Sequence, residues 1–293
     1  MSGSECCAPT RPATAGEATP AQGGLAAGLV TVPEGSFAMG YEGPLANPGD
    51  SEGPVRRAHV TSYRIGEATV TNQQFNEFVE ATGHVTQTER DGWSFVFYAH
   101  VSDRGAVRGR VAGAEWWCAV TGASWRAPHG PGSSAEQLAD HPVVHVSAYD
   151  AEAYCAWTGT RLPTETEWER AARGDLEGAV YPWGDELHPD GQWRCNIWQG
   201  DFPRTYSGPE GRPGTVPVRS FDPNGFGLYQ CVGNVWEWTA TTEGGSRVRR
   251  GGSYLCHDSY CNRYRVAARD RSLPGDATGN IGFRVASSER TSV

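Results

Sequence analysis

A single α+β domain with sparse regular structure is what this sequence predicts, and three observations carry the prediction. The 293 residues include 38 glycines and 19 prolines, about a fifth of the chain, against a usual share of roughly 12%. Turns therefore interrupt it too often for long elements. Three helix starts carry capping signals, and each is followed by a glycine stop. The last third breaks into short apolar strands. No repeat of solenoid period is present, and no linker divides the chain beyond residue 28.

Residues 1–28 are mostly Ala, Gly, Pro, Ser and Thr, and the first aromatic is Phe37. Such a segment buries too little to offset its ordering entropy, which predicts a disordered tail before a domain over 29–289. From Leu29, LVTVPEGSFAMG reads as strand, Pro-Glu-Gly turn and strand. Thr71 caps a helix whose Phe75, Phe78 and Val79 share one face and which Gly83 ends. HPVVHVS reads as a strand entering a second helix, opened by Ser147 with Asp150 as a capping box. There Ala151, Tyr154, Cys155 and Thr158 keep helical spacing up to Gly159. Thr164 and Glu167 make a cleaner box before WERAARG and the stop at Gly174. Short strands are expected around RVRRGGSY, NRYRVAAR and NIGFRVA.

Composition excludes several chemistries. All 25 basic residues are Arg. Without lysine there is no Schiff base, no P-loop lysine and no kinase-type lysine. The net charge of −9 disfavours nucleic acid, whose phosphates seek basic patches. No apolar run approaches the roughly 20 residues of a membrane helix. The N-terminal stretch has neither the basic start nor the apolar run of a secretory signal. The eight cysteines then point to a reducing, cytoplasmic location, where paired cysteines are more often catalytic or metal-binding than disulfide-bonded.

The most informative segment runs RGGSYLCHDSYCNRYR from Arg250. Cys256 and Cys261 stand among Tyr, Ser, His and Arg, and nearby Arg250, Arg263 and Arg265 favour thiolate. From spacing alone three readings stay open: a disulfide, a soft-metal site, or inert core thiols. For a metal, two sulfurs suit two-coordinate Cu(I) better than a four-sulfur zinc site. Cys118, Cys155, Cys195 and Cys231 read as packing residues. His141 and His145, at i and i+4 of a strand, face one side; a structural histidine is the simpler reading. His257 adjoins Cys256. Oxygen-rich loops at CNIWQGDF, SGPEG and QCVGNVWEW have the ligand mixture calcium uses, although solvated loops have it too.

Taken in order, VPEGSFAMG, HPVVHVS, RLPTETEWERAARG, NIWQGDFP, GNVWEWT and GGSYLCHDSYCNRYRVAAR resemble the formylglycine-generating enzymes, or sulfatase-modifying factors, from about Leu29 to Ala286. The resemblance implies a distantly C-type-lectin-like fold and a reaction: oxidation of a cysteine in a Cys-x-Pro-x-Arg segment of an unfolded sulfatase-type polypeptide to Cα-formylglycine, with O2 and Cu(I). By position, Cys256 and Cys261 are the implied copper ligands. Ser253 and Tyr260 match positions beside the metal and oxygen pocket, and Trp236 and Asn280 match the substrate groove. Two implied structural calcium sites comprise Asn196, Ile197, Glu210 and Arg212, then Gln230, Gly233, Val235 and Glu237. The RLPTETEWE and GNVWEW motifs are shared with non-oxidase relatives, so the Cys-x4-Cys pair is the specific part. The alternatives are a non-catalytic protein- or ligand-binding module of the same fold, and an oxidase of the family acting on a non-sulfatase peptide or on its own tail at Cys7.

Three departures from the family pattern stand out. The stretch from Trp238 to Arg250 is short, and RDRSLPGDATGNIGFR replaces a usual Asn-Thr-Pro-Asp-Ser-Ser run, changing Ser272, Leu273 and Gly275. Glu210 and Gln230 are each one methylene longer than the usual Asp and Asn. The tail itself contains Cys6 and then Cys7-Ala8-Pro9-Thr10-Arg11, a Cys-x-Pro-x-Arg match. It reads as a self-substrate or pseudosubstrate, as a copper-capturing pair, or as an accident of composition.

Overall fold

The computed structural model describes Pro9 and residues 28–288. The rest of the expected tail, with Cys6, Cys7 and Arg11, lies outside the described residues. Among these, four α-helices occur: α1 Asn72–Thr82, α2 Gln87–Asp91, α3 Ala148–Thr158 and α4 Glu165–Arg173. Each opens on a capping box, at Thr71, Thr86, Ser147 and Thr164, and each closes on a left-handed glycine. Three are the expected helices. α2 carries the same signal, Thr86 with Glu89, but its single turn and a half has no apolar period to mark it.

The strands are short and fall into small sheets. Leu29–Val32 and Gly35–Met39 are strands as expected, yet they do not pair with each other: the first pairs with Tyr63–Gly66 and the second with Arg56–Val60. Two expected strands are corrected. HPVVHVS is irregular, with a single bridge from Pro142 to Thr71 and His145 in the left-handed region at φ 60°. NRYRVAAR is also irregular, and a strand begins only at Arg269. Two of its arginines turn inward onto carboxylates, Arg265 onto Glu52 at 2.6 and 2.7 Å and Arg263 onto Asp50 at 2.5 and 2.8 Å.

One sheet positions the candidate site. Its order is Arg269–Ser272, Ser246–Arg250, Trp236–Glu243, Ile281–Phe283, with the last pair parallel. α4 packs on it through Trp168, whose indole N–H donates to Glu237 at 2.6 Å. Buried ion pairs lock this layer. Arg250 meets Glu165 at 3.2 Å and also Glu169, Arg173 meets Glu169 at 2.7 Å, and Arg284 grips Glu237 with two bonds of 2.6 and 2.7 Å. A buried charge survives only with such partners. On the other side of the core, Phe75 and Phe78 of α1 meet Tyr154 of α3 and Phe283 edge-on or stacked.

Candidate functional site: a buried cysteine pair under an aromatic wall

The irregular crossing over 251–268 leaves the Ser246–Arg250 strand and returns at Arg269. Its entry needs two glycines. Gly251 and Gly252 have φ of 92° and 70°, and a Cβ on either would lie 2.8 Å from a backbone oxygen, of Cys231 and Arg263 respectively. Only glycine combines that torsion with that close approach. Two tight turns follow, closed by Cys256 N–H to Ser253 O at 2.9 Å and Cys261 N–H to His257 O at 2.6 Å.

These turns bring both thiols to one point. Cys256 Sγ and Cys261 Sγ are 3.0 Å apart and buried. A disulfide would require about 2.05 Å, so the pair is in contact but not bonded. Ser253 N–H donates to Cys256 Sγ at 3.3 Å, and Arg263 Nη1 lies 3.9 Å from Cys261 Sγ. Of the three arginines expected to charge the pair, only Arg263 reaches a sulfur. Arg250 and Arg265 are spent on Glu165, Glu169 and Glu52, because a guanidinium buried this deeply needs a carboxylate of its own.

Ser253 and Asn280 join the pair from different elements. Asn280, just before the Ile281–Phe283 strand, donates from Nδ2 to Ser253 Oγ at 2.9 Å, and its own Oδ1 accepts from Thr278 Oγ1 at 2.6 Å. The serine oxygen is thus held as an acceptor, and no described residue takes its proton. Trp236 is fully buried beneath Arg249. It reaches the site through its backbone, donating N–H to Asn280 O at 2.9 Å.

Tyr260 faces an aromatic wall that the sequence reading did not single out. Its ring stacks on Phe202 at 4.4 Å and meets Trp116 edge-on at 4.9 Å, while Trp198 packs against Phe202 at 5.1 Å. The indole N–H groups of Trp116, Trp117 and Trp198 are buried with no hydrogen-bond partner among the described residues. The density of Trp and Phe near Trp116 and in NIWQGDF is the signal that could have found this wall. Behind it His100 is half-buried against Tyr254 and His129. Burial, then the neighbouring His129, pushes its pKa down to about 3, so its ring stays neutral.

The remaining predicted residues fall elsewhere. Burial pushes the thiols of Cys155, Cys195 and Cys231 up to about 12 and raises that of Cys118, as packing residues should behave. His141 bonds Thr215, whereas His145 bonds Ser94 and the Pro128 carbonyl; the left-handed turn at His145 gives them separate surroundings. His257 bonds Ser259 at 2.8 Å. Asn196 donates to Gly214 O and Asn234 Oδ1, while Glu210 and Arg212 are exposed, and Ile197 is core. Gln230 donates to Pro217 O and leaves a buried Oε1 with no partner among the described residues. Gly233 and Val235 flank it on the same buried turn. The Glu237 carboxylate is already held by Arg284 and Trp168. Of this second set, Gln230 fits an oxygen-seeking cation and Glu237 does not.

Comparison with known proteins places the chain in a family. Residues 14–289 match the sulfatase-modifying factor enzyme 1-like domain. The formylglycine-generating enzyme of Thermomonospora curvata is 52% identical over 284 residues, covering 89% of this chain and 94% of that protein. The inactive C-alpha-formylglycine-generating enzyme 2 of Bos taurus is 46% identical over 273 residues, covering 90% and 89%. The solved structure of PvdO from Pseudomonas aeruginosa shares the fold at a TM-score of 0.63 and 23% identity, covering 89% and 94%. The chain belongs to the sulfatase-modifying factor family.

Proposed function

We propose that this protein is a copper-dependent oxidase that converts a cysteine within a Cys-x-Pro-x-Arg segment of an unfolded sulfatase-type polypeptide to Cα-formylglycine. The observation that carries the reading is the contact between two buried, unbonded thiols, Sγ to Sγ 3.0 Å, in a chain of this family. Ancestry alone does not decide the matter, since a relative at 46% identity bears the name inactive.

The donor chemistry fits copper. Two sulfurs at one point form a soft site that suits Cu(I) better than a hard cation. Cys256 and Cys261 would hold the ion, which when bound supplies one-electron chemistry toward O2. Everything else falls to the chain's own groups. The backbone N–H of Ser253 stabilises negative charge on Cys256 Sγ, and Arg263 does the same for Cys261. Asn280 aims the Ser253 hydroxyl so that its proton faces away from the amide. The wall of Tyr260, Phe202, Trp116 and Trp198 keeps water from the sulfurs, and its buried N–H groups can receive a polar reactant without reorganising. The overall change balances as one substrate thiol, O2 and two reducing thiols giving the aldehyde, H2S, water and a disulfide. Calcium bound near Gln230 would be structural, holding a segment with little ladder of its own.

The test loads the protein with Cu(I), offers a Cys-x-Pro-x-Arg peptide in air, and looks for the aldehyde by mass spectrometry. Turnover that disappears in Cys256→Ser and in Cys261→Ser supports the reading. No aldehyde from the loaded, folded protein leaves the binding-module alternative standing.

A further inference from the structure

Each sulfur of the pair has a donor whose own position is fixed from elsewhere in the chain. Cys256 Sγ accepts from Ser253 N–H at 3.3 Å, and Asn280 holds that serine through its hydroxyl at 2.9 Å. Cys261 Sγ faces Arg263 Nη1 at 3.9 Å, and Asp50 holds that guanidinium from 213 positions away. The grip is a fork: Nε donates to Oδ2 at 2.5 Å and Nη2 to Oδ1 at 2.8 Å. A planar guanidinium held along that edge cannot turn, so the carboxylate sets the direction of Nη1. Both side chains are more than nine-tenths buried, which keeps solvent from screening the arrangement.

Asp50 belongs to a segment tied repeatedly to the chain that follows Cys261. Leu45 O accepts from Asn262 Nδ2 at 3.0 Å, and Glu52 takes Arg265 through bonds of 2.6 and 2.7 Å. The buried arginines differ in what the third nitrogen meets. Arg265 Nε donates to Asn262 O at 2.9 Å, and Arg284 Nη1 donates to Gly66 O at 3.0 Å. In Arg263 the corresponding nitrogen faces a thiol of the pair. A carbonyl is a fixed acceptor, whereas sulfur accepts strongly only as thiolate, the form that binds metal.

We propose that Asp50 is a positioning residue for the cysteine pair: it aims Arg263 at Cys261 Sγ and so holds that sulfur ready for a soft metal ion. The proposal rests on the copper reading given above. The charge of Arg263 does not account for the arrangement, because the Asp50 carboxylate offsets it; what the carboxylate adds is direction. Losing a group that orients a metal ligand costs about 10–100-fold in metal affinity. Position and charge make opposite predictions for Asp50→Asn. Cu(I) with two thiolates is a net anion, so charge alone predicts tighter binding once the opposing carboxylate is neutralised. Positioning predicts weaker binding.

The test reads Cu(I) affinity of the full chain without turnover, by anaerobic competition with a chromogenic Cu(I) chelator. Asp50→Asn should weaken binding about tenfold. Arg263→Lys keeps the charge but lacks the fork; it should weaken binding comparably, and it decides the matter if Asp50→Asn does not fold. In the double variant the two losses should not add, because Asp50 acts through Arg263. Glu52→Gln is the comparison. It loosens the same segment through Arg265, which bonds Glu52 and Asn262 instead, so Tm should fall while Cu(I) affinity stays within about twofold, the ordinary scatter of uncoupled sites. Unchanged or tighter binding by Asp50→Asn, unchanged binding by Arg263→Lys, or equal weakening by Glu52→Gln overturns the proposal. A wild type that retains no Cu(I) overturns the copper reading and this proposal together. A wild type that holds Cu(I) but forms no aldehyde, beside weakened Asp50→Asn and Arg263→Lys, supports the positioning role and counts against the substrate reading alone.

Discussion

Two neighbouring regions of this molecule treat their polar groups in opposite ways. In the layer between α4 and the four-stranded sheet, the buried carboxylates meet arginines: Glu165 and Glu169 meet Arg250, Glu169 also Arg173, and Glu237 Arg284. Across the crossing over 251–268, two thiols touch without bonding, a serine hydroxyl accepts from Asn280, and buried indole N–H groups of Trp116, Trp117 and Trp198 have no partner among the described residues. The first region pairs its carboxylates with arginines and holds shape, although Arg250 Nε there also lacks a partner among the described residues. The second keeps thiols and indole N–H groups uncommitted, at an energetic cost. Function and stability should therefore separate cleanly between them.

The largest effect expected from that separation lies in the thiols. Cys256→Ser or Cys261→Ser should abolish aldehyde formation, a loss of at least about 10⁴-fold or 5.5 kcal/mol, while urea unfolding moves by no more than about 1 kcal/mol. A large drop in stability would place the pair in the framework. Glu169→Gln should do the reverse. It leaves Arg173 in the interior without its carboxylate and Arg250 with Glu165 alone, and should cost about 3–5 kcal/mol in unfolding free energy. Turnover per folded molecule should be preserved, as read from urea titration beside an activity assay on the folded fraction.

Smaller effects sharpen the boundary. Ser253→Ala should lower kcat about 10²-fold, the scale set by losing one positioned donor, with the unfolding midpoint nearly unchanged. An unaltered kcat would remove Ser253 from the chemistry. His100 gives the smallest shift and one with a definite sign. Its pKa falls from 6.5 to about 3 on folding, so below pH 6.5 the unfolded chain binds the extra proton. Stability from this group is complete above that pH and drains away as pH falls toward 3, at up to about 1.4 kcal/mol per pH unit. In His100→Gln this part of the acid slope should vanish in stability measured from pH 7 to 4.

The expected elements divide by the range of the forces behind them. α1, α3 and α4 were legible because Thr71, Ser147 and Thr164 cap through bonds that span three residues and stop at glycines. NRYRVAAR was misread because its arginines answer to Asp50 and Glu52, more than two hundred positions away. HPVVHVS failed for a similar reason: His145 turns over to bond Ser94 and Pro128. Strand periodicity describes one neighbour on each side of a residue, and neither segment is governed by its neighbours. The aromatic wall was missed because Trp116, Phe202 and Tyr260 converge from three separate stretches.

The sequence by itself determined the family, the absence of lysine chemistry, the ends of α1, α3 and α4 and the pair of cysteines on which the proposed reaction depends. Each of these is a matter of residue identity or of spacing within a few positions. Only the tertiary structure decided that the two thiols meet at 3.0 Å without a bond, that Arg250 and Arg265 are consumed by carboxylates while Arg263 reaches Cys261 Sγ, and that Tyr260 stacks on Phe202. The reason is physical: ion pairing, sulfur contact and burial act through space at a few ångströms, and the partners they join here are up to about two hundred residues apart along the chain.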